Sequence, residues 1–273
     1  MKDEVKAAAA AFQFLSRIPV RMNLDFTPEL MQKSTVYYPF VGVCIGLILW
    51  VAAVVSGFLL PALPASIVTL VVWVWLTGGL HLDGWMDSAD ALLSYRSRER
   101  MLEIMKDSRV GAMGVIACVL LLMLKASLLV SLIHQPVMMG LAIMPLIWSR
   151  FFMVYAISRY PSARAGEGLA AMFGTTPARY YKQSLGCAIA ISIVLLGILS
   201  LIVYSSNVVY VTQAPVLIAF IAVPIVMWVI GRLAADRMSA RLEGLTGDTY
   251  GALNEGLETA GLLMLTIVLH IAG

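Results

Sequence analysis

Residues 68–93 read VTLVVWVWLTGGLHLDGWMDSADALL. The run up to Leu76 is apolar but for Thr69. His81 and three aspartates, Asp83, Asp87 and Asp90, follow within a few residues. A helix continued past Gly79 sets the three acids at i, i+4 and i+7, on one face. A bilayer-crossing helix that ends in a carboxylate cluster therefore decides the fold class and points to the chemistry.

Composition agrees. Of 273 residues, 60% are hydrophobic and 13% charged, with a mean hydropathy of +0.89; soluble domains carry about 25% charged residues. A crossing helix needs about 20 mostly apolar residues. Seven stretches qualify: 35–60, 63–80, 110–133, 137–158, 184–205, 214–234 and 256–272. The expected fold is all-α: one polytopic membrane domain over 1–273, with residues 5–20 as an interfacial or re-entrant helix. The opening MKDEVKAAAAAFQFLSRIPV does not read as a signal peptide, because acids interrupt it. Cys44, Cys118 and Cys187 stand in apolar runs without CxxC spacing, so neither a disulfide framework nor a zinc site is expected.

Charge supplies the sidedness. Seventeen of the 19 Lys and Arg fall before the first span, in alternate connections or, for Arg232, at the basic end of the sixth span; only Lys125 and Arg150 fall deeper inside spans. The opposite connections, PALP, HQP and SSNVVYVTQ, and the tail HIAG carry none. Basic residues mark the cytoplasmic side, so the N-terminus is expected inside an inner membrane and the C-terminus outside. All 16 acids fall on the basic side or at a span's basic end. One bare face and one chemically equipped face do not suit a transporter, which needs polar groups near mid-membrane and access from both sides.

Three crowded carboxylates repel one another unless a cation intervenes. Magnesium takes oxygen ligands and keeps waters and substrate phosphates, so the cluster suggests metal-assisted phosphate chemistry at the membrane surface. A solvated acidic helix end would show the same spacing, but would have no use for Gly78, Gly79 and Gly84. The basic string SYRSRERMLEIMKDSR, 94–109, follows at once and suits phosphate oxygens; Lys106 and Arg109 are diphosphate candidates. Arg150, well inside its span, is expected to face a polar cavity or an acid, and is taken as a phosphate-binding candidate. Residues 158–182 suit a mobile flap. LTGDTYGALNEG, 245–256, offers Asp248, either to complete a metal site or to take a proton. His81 is open between general base, metal ligand and hydrogen-bonded structural residue. There is no Walker A, GxGxxG or GxSxG pattern, and no nucleic-acid partner is expected.

With GGLHLDGWMDSADALL, KDSRVGAMGV and GLTGDTYGALNE in that order, and FLSRIPV and YYPFVG before them, the chain resembles the cobalamin synthase family, adenosylcobinamide-GDP ribazoletransferase. The resemblance covers nearly the whole chain. It implies a magnesium-dependent reaction in which a hydroxyl of α-ribazole, or of its 5′-phosphate, attacks the corrinoid-side phosphorus of adenosylcobinamide-GDP and GMP leaves. In that scheme Asp83, Asp87, Asp90 and Asp248 hold the metal, Lys106, Arg109 and Arg150 hold phosphate oxygens, and Asp248 or His81 moves the proton. The CDP-alcohol phosphotransferases, which expel CMP, are similar in chemistry and form the alternative reading; a cation-coupled transporter is a second. Glycine-rich spans permit association into a homo-oligomer.

Overall fold

A computed structural model describes residues 2–164, 172–174, 176–205 and 213–272. The notional flap, 158–182, lies partly outside these residues, as does most of the connection SSNVVYVTQ. Every regular element among the described residues is helical. Helix α1 spans Lys2–Leu15. Helix α2, Pro28–Ser34, runs through a 3₁₀ turn into α3, Tyr38–Leu59. There follow α4 (Ala62–Thr77), α5 (Leu80–Leu92), α6 (Arg98–Ile104), α7 (Ala112–Leu132), α8 (Pro136–Leu141), α9 (Ile143–Arg159), α10 (Ala178–Ser205), α11 (Gln213–Leu242) and α12 (Gly247–Ala272). Six helical stretches are long and apolar enough to cross a bilayer, and α4 with α5 supplies a seventh if that bent pair counts as one. The protein is a multi-pass, all-α membrane protein.

The spans pack around α9. The α8–α9 span is 94% buried, against 22% for α10 and 33% for α11, whose outer faces are lipid-facing. A helix buried on nearly every side sits in the middle of a bundle, and α9 touches α3, α10, α11 and α12. Glycine sets how closely these helices approach. A Cβ on Gly42 of α3 would stand 2.4 Å from the Leu146 carbonyl oxygen, and one on Gly261 of α12 would stand 2.6 Å from Pro145 Cγ. Packing in a bilayer rests on such small-residue contacts.

Two boundaries differ from expectation. Helix α4 stops at Thr77. Gly78 (φ 68°) and Gly79 (φ 75°) are left-handed, and the chain turns by 90° into α5. The aspartates thus stand on a separate short helix, not on a continued span. The fourth crossing keeps its expected bounds, running Pro136–Arg159 with the single turn residue Ala142 between α8 and α9. The last helix begins at Gly247, not near residue 256, because Thr246 and Thr249 cap it reciprocally: Thr249 N–H donates to Thr246 Oγ1 (3.2 Å), and Thr246 N–H to Thr249 Oγ1 (2.8 Å). Glu255 and Glu258 therefore lie well inside the helix and are buried.

Helix α1 buries Ala7, Ala9, Ala10, Ala11 and Leu15 and leaves Lys2–Lys6 exposed. The Lys33 ammonium stands 2.7 Å from Glu4, and the Tyr37 hydroxyl donates to the same carboxylate. Both interactions lower the Glu4 pKa from its usual value. The segment then returns to the bundle, where Arg17 N–H donates to the Leu76 carbonyl at the end of α4 (2.7 Å).

Candidate active site

Helix α5 lies against the first turns of α12 and against the start of α7. The contact is backbone to backbone. A Cβ on Gly84 would stand 2.5 Å from the Asp248 carbonyl oxygen, so only glycine lets the two helices meet there. Gly251 gives the matching clearance from the α12 side, against the His81 backbone. This approach brings Asp83 and Asp87 of α5 to Asp248, in the first turn of α12, where the helix dipole favours a carboxylate. Asp87 lies within the electrostatic reach of Asp83, Asp90, Asp248 and Arg164. Asp83, Asp248 and His81 line one cavity of about 100 Å³, closed by Phe14, Met153, Phe173 and Tyr250.

Asp90 points elsewhere. Its carboxylate accepts the backbone N–H groups of Gly111 (2.8 Å) and Gly114 (2.7 Å), the first orphan donors of α7. It tethers α5 to the start of α7, and the clearance it needs explains both glycines: a Cβ on either would stand 2.4 Å from an Asp90 oxygen. Among the described residues no three His, Cys, Asp or Glu side chains converge tightly enough to hold a metal by themselves. The oxygen donors Asp83, Asp87 and Asp248 do suit magnesium bound in its usual manner, through one or two carboxylates, with water and substrate phosphate filling the other positions.

Arg150 is a correction. It was expected to reach phosphate, but its side chain is wholly buried and its Nη1 pairs with Glu258 and donates to the Leu146 carbonyl (3.1 Å). Glu258 stands 108 residues away in sequence, so nothing local announced the partner. Lys125 completes the group, with Nζ 2.5 Å from Glu255 and 2.8 Å from Glu258. Arg109 is exposed and folded back on Asp107, with Nη2 2.7 Å from its carboxylate. Those hydrogen bonds hold Asp107 down at about 2. Lys106 lines a groove of about 310 Å³ with Arg98 and Arg164.

Arg164 was not singled out from sequence, yet it stands nearest the acids: its Nη2 is 3.6 Å from Asp248 and donates to the Leu102 carbonyl at 3.2 Å. Arg98 braces the same corner through the carbonyls of Leu242 (2.9 Å) and Ala163 (3.1 Å). The Ser162–Leu245 bridge fixes Arg164 there. The SAR triplet just beyond the fourth span was the available signal, but only the fold brings it to Asp248.

Fold and site together define a class: a polytopic helical membrane protein with carboxylates and arginines gathered at one end of the bundle. The chain belongs to the cobalamin-5-phosphate synthase family, whose model matches residues 7–266. Relatives named adenosylcobinamide-GDP ribazoletransferase include one from Pseudomonas fluorescens, 39% identical over 254 residues, covering 93% of this chain and 96% of that protein. Another, from Brevibacillus brevis, is 36% identical over 256 residues, 93% of this chain and 95% of its own length. A third, from Pseudomonas aeruginosa, is 36% identical over 270 residues, 98% of this chain and 100% of its own. No solved structure matches the chain.

Proposed function

We propose that the protein is an adenosylcobinamide-GDP ribazoletransferase, acting in adenosylcobalamin biosynthesis. The observation that carries this is likeness along nearly the whole length to the family and to relatives of that name, with no large part of either chain unmatched. In the proposed reaction a hydroxyl oxygen of α-ribazole, or of its 5′-phosphate, forms a bond to the corrinoid-side phosphorus of the donor. The bond from that phosphorus to the bridging oxygen breaks, and GMP departs with its electron pair. Such transfers need positioning and charge neutralisation more than covalent catalysis.

Asp83 and Asp87 would hold magnesium, which supplies positive charge against the diphosphate. Arg164, with Lys106 at the groove edge, would hold phosphate oxygens, and Arg98 braces that corner through backbone carbonyls. Asp248 receives the proton of the attacking hydroxyl. Asp90 keeps α5 seated on α7. The site faces the cytoplasm of a bacterium, and the N-terminus lies on that side of the inner membrane, because Lys and Arg fall almost wholly on the site's end of the spans. The CDP-alcohol alternative is not favoured, since the relatives carry the GDP-linked donor in their names.

The test is purified protein in detergent, given adenosylcobinamide-GDP, α-ribazole and magnesium, with GMP measured by chromatography. GMP release that requires α-ribazole and stops with a chelator is the expected result. CMP release from a CDP-alcohol, with none from the GDP-linked donor, would overturn the assignment. Undiminished turnover in chelator would remove the magnesium.

A further inference from the structure

Behind the aspartates, inside the bundle, lies a chain of buried polar contacts that the proposed reaction does not yet use. His81 is 3% exposed. Its Nδ1 stands 3.0 Å from Asn254 Nδ2, and that same amide nitrogen stands 3.1 Å from Glu258 Oε1. Glu258 is in turn held by Lys125 and Arg150. A carboxylate between two cations is ionised and only accepts hydrogen bonds. The atom of Asn254 that faces it is therefore the nitrogen; with the amide turned over, two acceptor oxygens would oppose each other. One amide proton goes to Glu258, and the other is directed at His81 Nδ1.

Nδ1 is then an acceptor, so the ring is neutral and its proton sits on Nε2. An imidazolium, or the other tautomer, would set N–H against N–H. His81 Nε2 is itself buried and has no hydrogen-bond partner among the described residues. His81 is among the residues that line the cavity shared by Asp83 and Asp248. A buried donor without an acceptor is uncommon unless a ligand supplies one.

We infer that His81 is a hydrogen-bond donor to substrate through Nε2–H, aimed at a phosphoryl oxygen in that cavity, and that Asn254 and Glu258 are positioning residues that hold this tautomer. The inference rests on the phosphoryl-transfer reading for its ligand. The tautomer rests on geometry alone. It removes His81 from the candidates for general base, since Nε2 already bears a proton and Nδ1 faces a donor. It leaves the carboxylates to take the proton of the hydroxyl.

Two measurements test this. The first compares His81→Gln with His81→Leu by GMP release, each variant first checked for a monodisperse peak in detergent. A glutamine amide places an N–H near the position of Nε2 but has no basicity. The expected result is activity within about tenfold of wild type for Gln and a loss of roughly 100-fold or more for Leu, the usual effect of removing one donor to a developing oxyanion. Equal losses in both variants would overturn the donor role. The second is ¹⁵N NMR of histidine-labelled protein without substrate; the chain has three histidines, and the two others are assigned by substitution. A neutral His81 protonated on Nε2 is expected, with Nδ1-protonated signal appearing in Asn254→Leu. A ring protonated on Nδ1, or a signal unmoved by Asn254→Leu, would overturn the positioning argument. The spectrum reads the tautomer whether or not GMP is released, so failure of the assigned reaction is distinguishable from failure of this inference.

Discussion

Replacing Lys125 by Met tests the buried network directly. Two cations, Lys125 and Arg150, face two anions, Glu255 and Glu258, and all four side chains are 6% exposed or less. The Lys125 ammonium also stands 4.4 Å from the Trp73 ring centre, so its surroundings suit an unbranched side chain of similar volume. Met fills that space but removes a charge. Glu258 keeps Arg150, whereas Lys125 is the only side-chain partner that the geometry gives the Glu255 carboxylate among the described residues. Breaking a buried pair from one side costs about 3–5 kcal/mol. Single hydrogen bonds inside membrane proteins average nearer ~0.6 kcal/mol, because the unfolded chain finds partners within the bilayer too. What is lost here is a charge as well as hydrogen bonds, so the lower end of the first range, about 3 kcal/mol, is the expected value. At about 2–4 °C per kcal/mol, the apparent Tm should fall by roughly 6–12 °C. The double variant Lys125→Met with Glu255→Gln restores neutrality and should recover at least half of the loss. Tryptophan fluorescence during heating in detergent, at one fixed scan rate, measures both. A single variant within about 1 °C of wild type, or a double variant no more stable than the single, would refute the charge-balance argument.

Other expectations separate activity from stability. Asp83→Asn should fold and insert as wild type but lose GMP release by roughly 100-fold or more, as removal of a metal-holding or phosphate-neutralising carboxylate does; retained activity would take Asp83 out of the site. Asp90→Ala should do the reverse in part, lowering stability by about 1–2 kcal/mol through the loss of two acceptors at the start of α7, readable as a fall in Tm. Gly84→Ala forces a methyl to 2.5 Å from the Asp248 carbonyl, so α5 and α12 must part; activity should fall further than Tm, and an active, unshifted variant would show that the close approach is dispensable.

The all-α membrane class was legible because long apolar runs have few other fates, and the charge asymmetry agreed with it. The break after Thr77 was signalled by Gly78 and Gly79, but read as permissive glycines within one helix, not as two left-handed residues that turn the chain. LTGDTYGALNEG fell outside the seventh apolar stretch because its polar residues lower the hydropathy and its three glycines weaken helix propensity. What sequence periodicity could not weigh was the Thr246–Thr249 cap and the burial of the glycine face on α5. The spacing of Asp83 and Asp87 survived the break, since both stand on α5. The partners of Lys125 and Arg150 were invisible for a different reason: they are tertiary pairs, 130, 133 and 108 residues apart, and nothing local encodes them. Arg164 shares that cause, for its nearness to Asp248 depends on the Ser162–Leu245 bridge.

Mid-membrane charges ordinarily argue for transport, so the network bears on which class of protein this is. Here the charges cancel, and they stop short of the bare end. Beyond Lys125, the described interior of α7 and α8 is Leu128, Leu129, Leu132, Ile133, Val137 and Met138, all buried and apolar. The polar groups buried nearest that end, Ser56, Ser66 and Thr69, close on backbone carbonyls of α3 and α4, Ser56 and Thr69 also lying 3.4 Å apart. An ion moving from the aspartates toward the bare face along this path would meet no ligand among these described side chains. The network instead leads back toward the site, from Lys125 and Arg150 through Glu258 and Asn254 to His81, two residues before Asp83. Its geometry suits orientation: buried polar groups with few alternative partners hold one arrangement, and helices that touch backbone to backbone fix the carboxylates they carry.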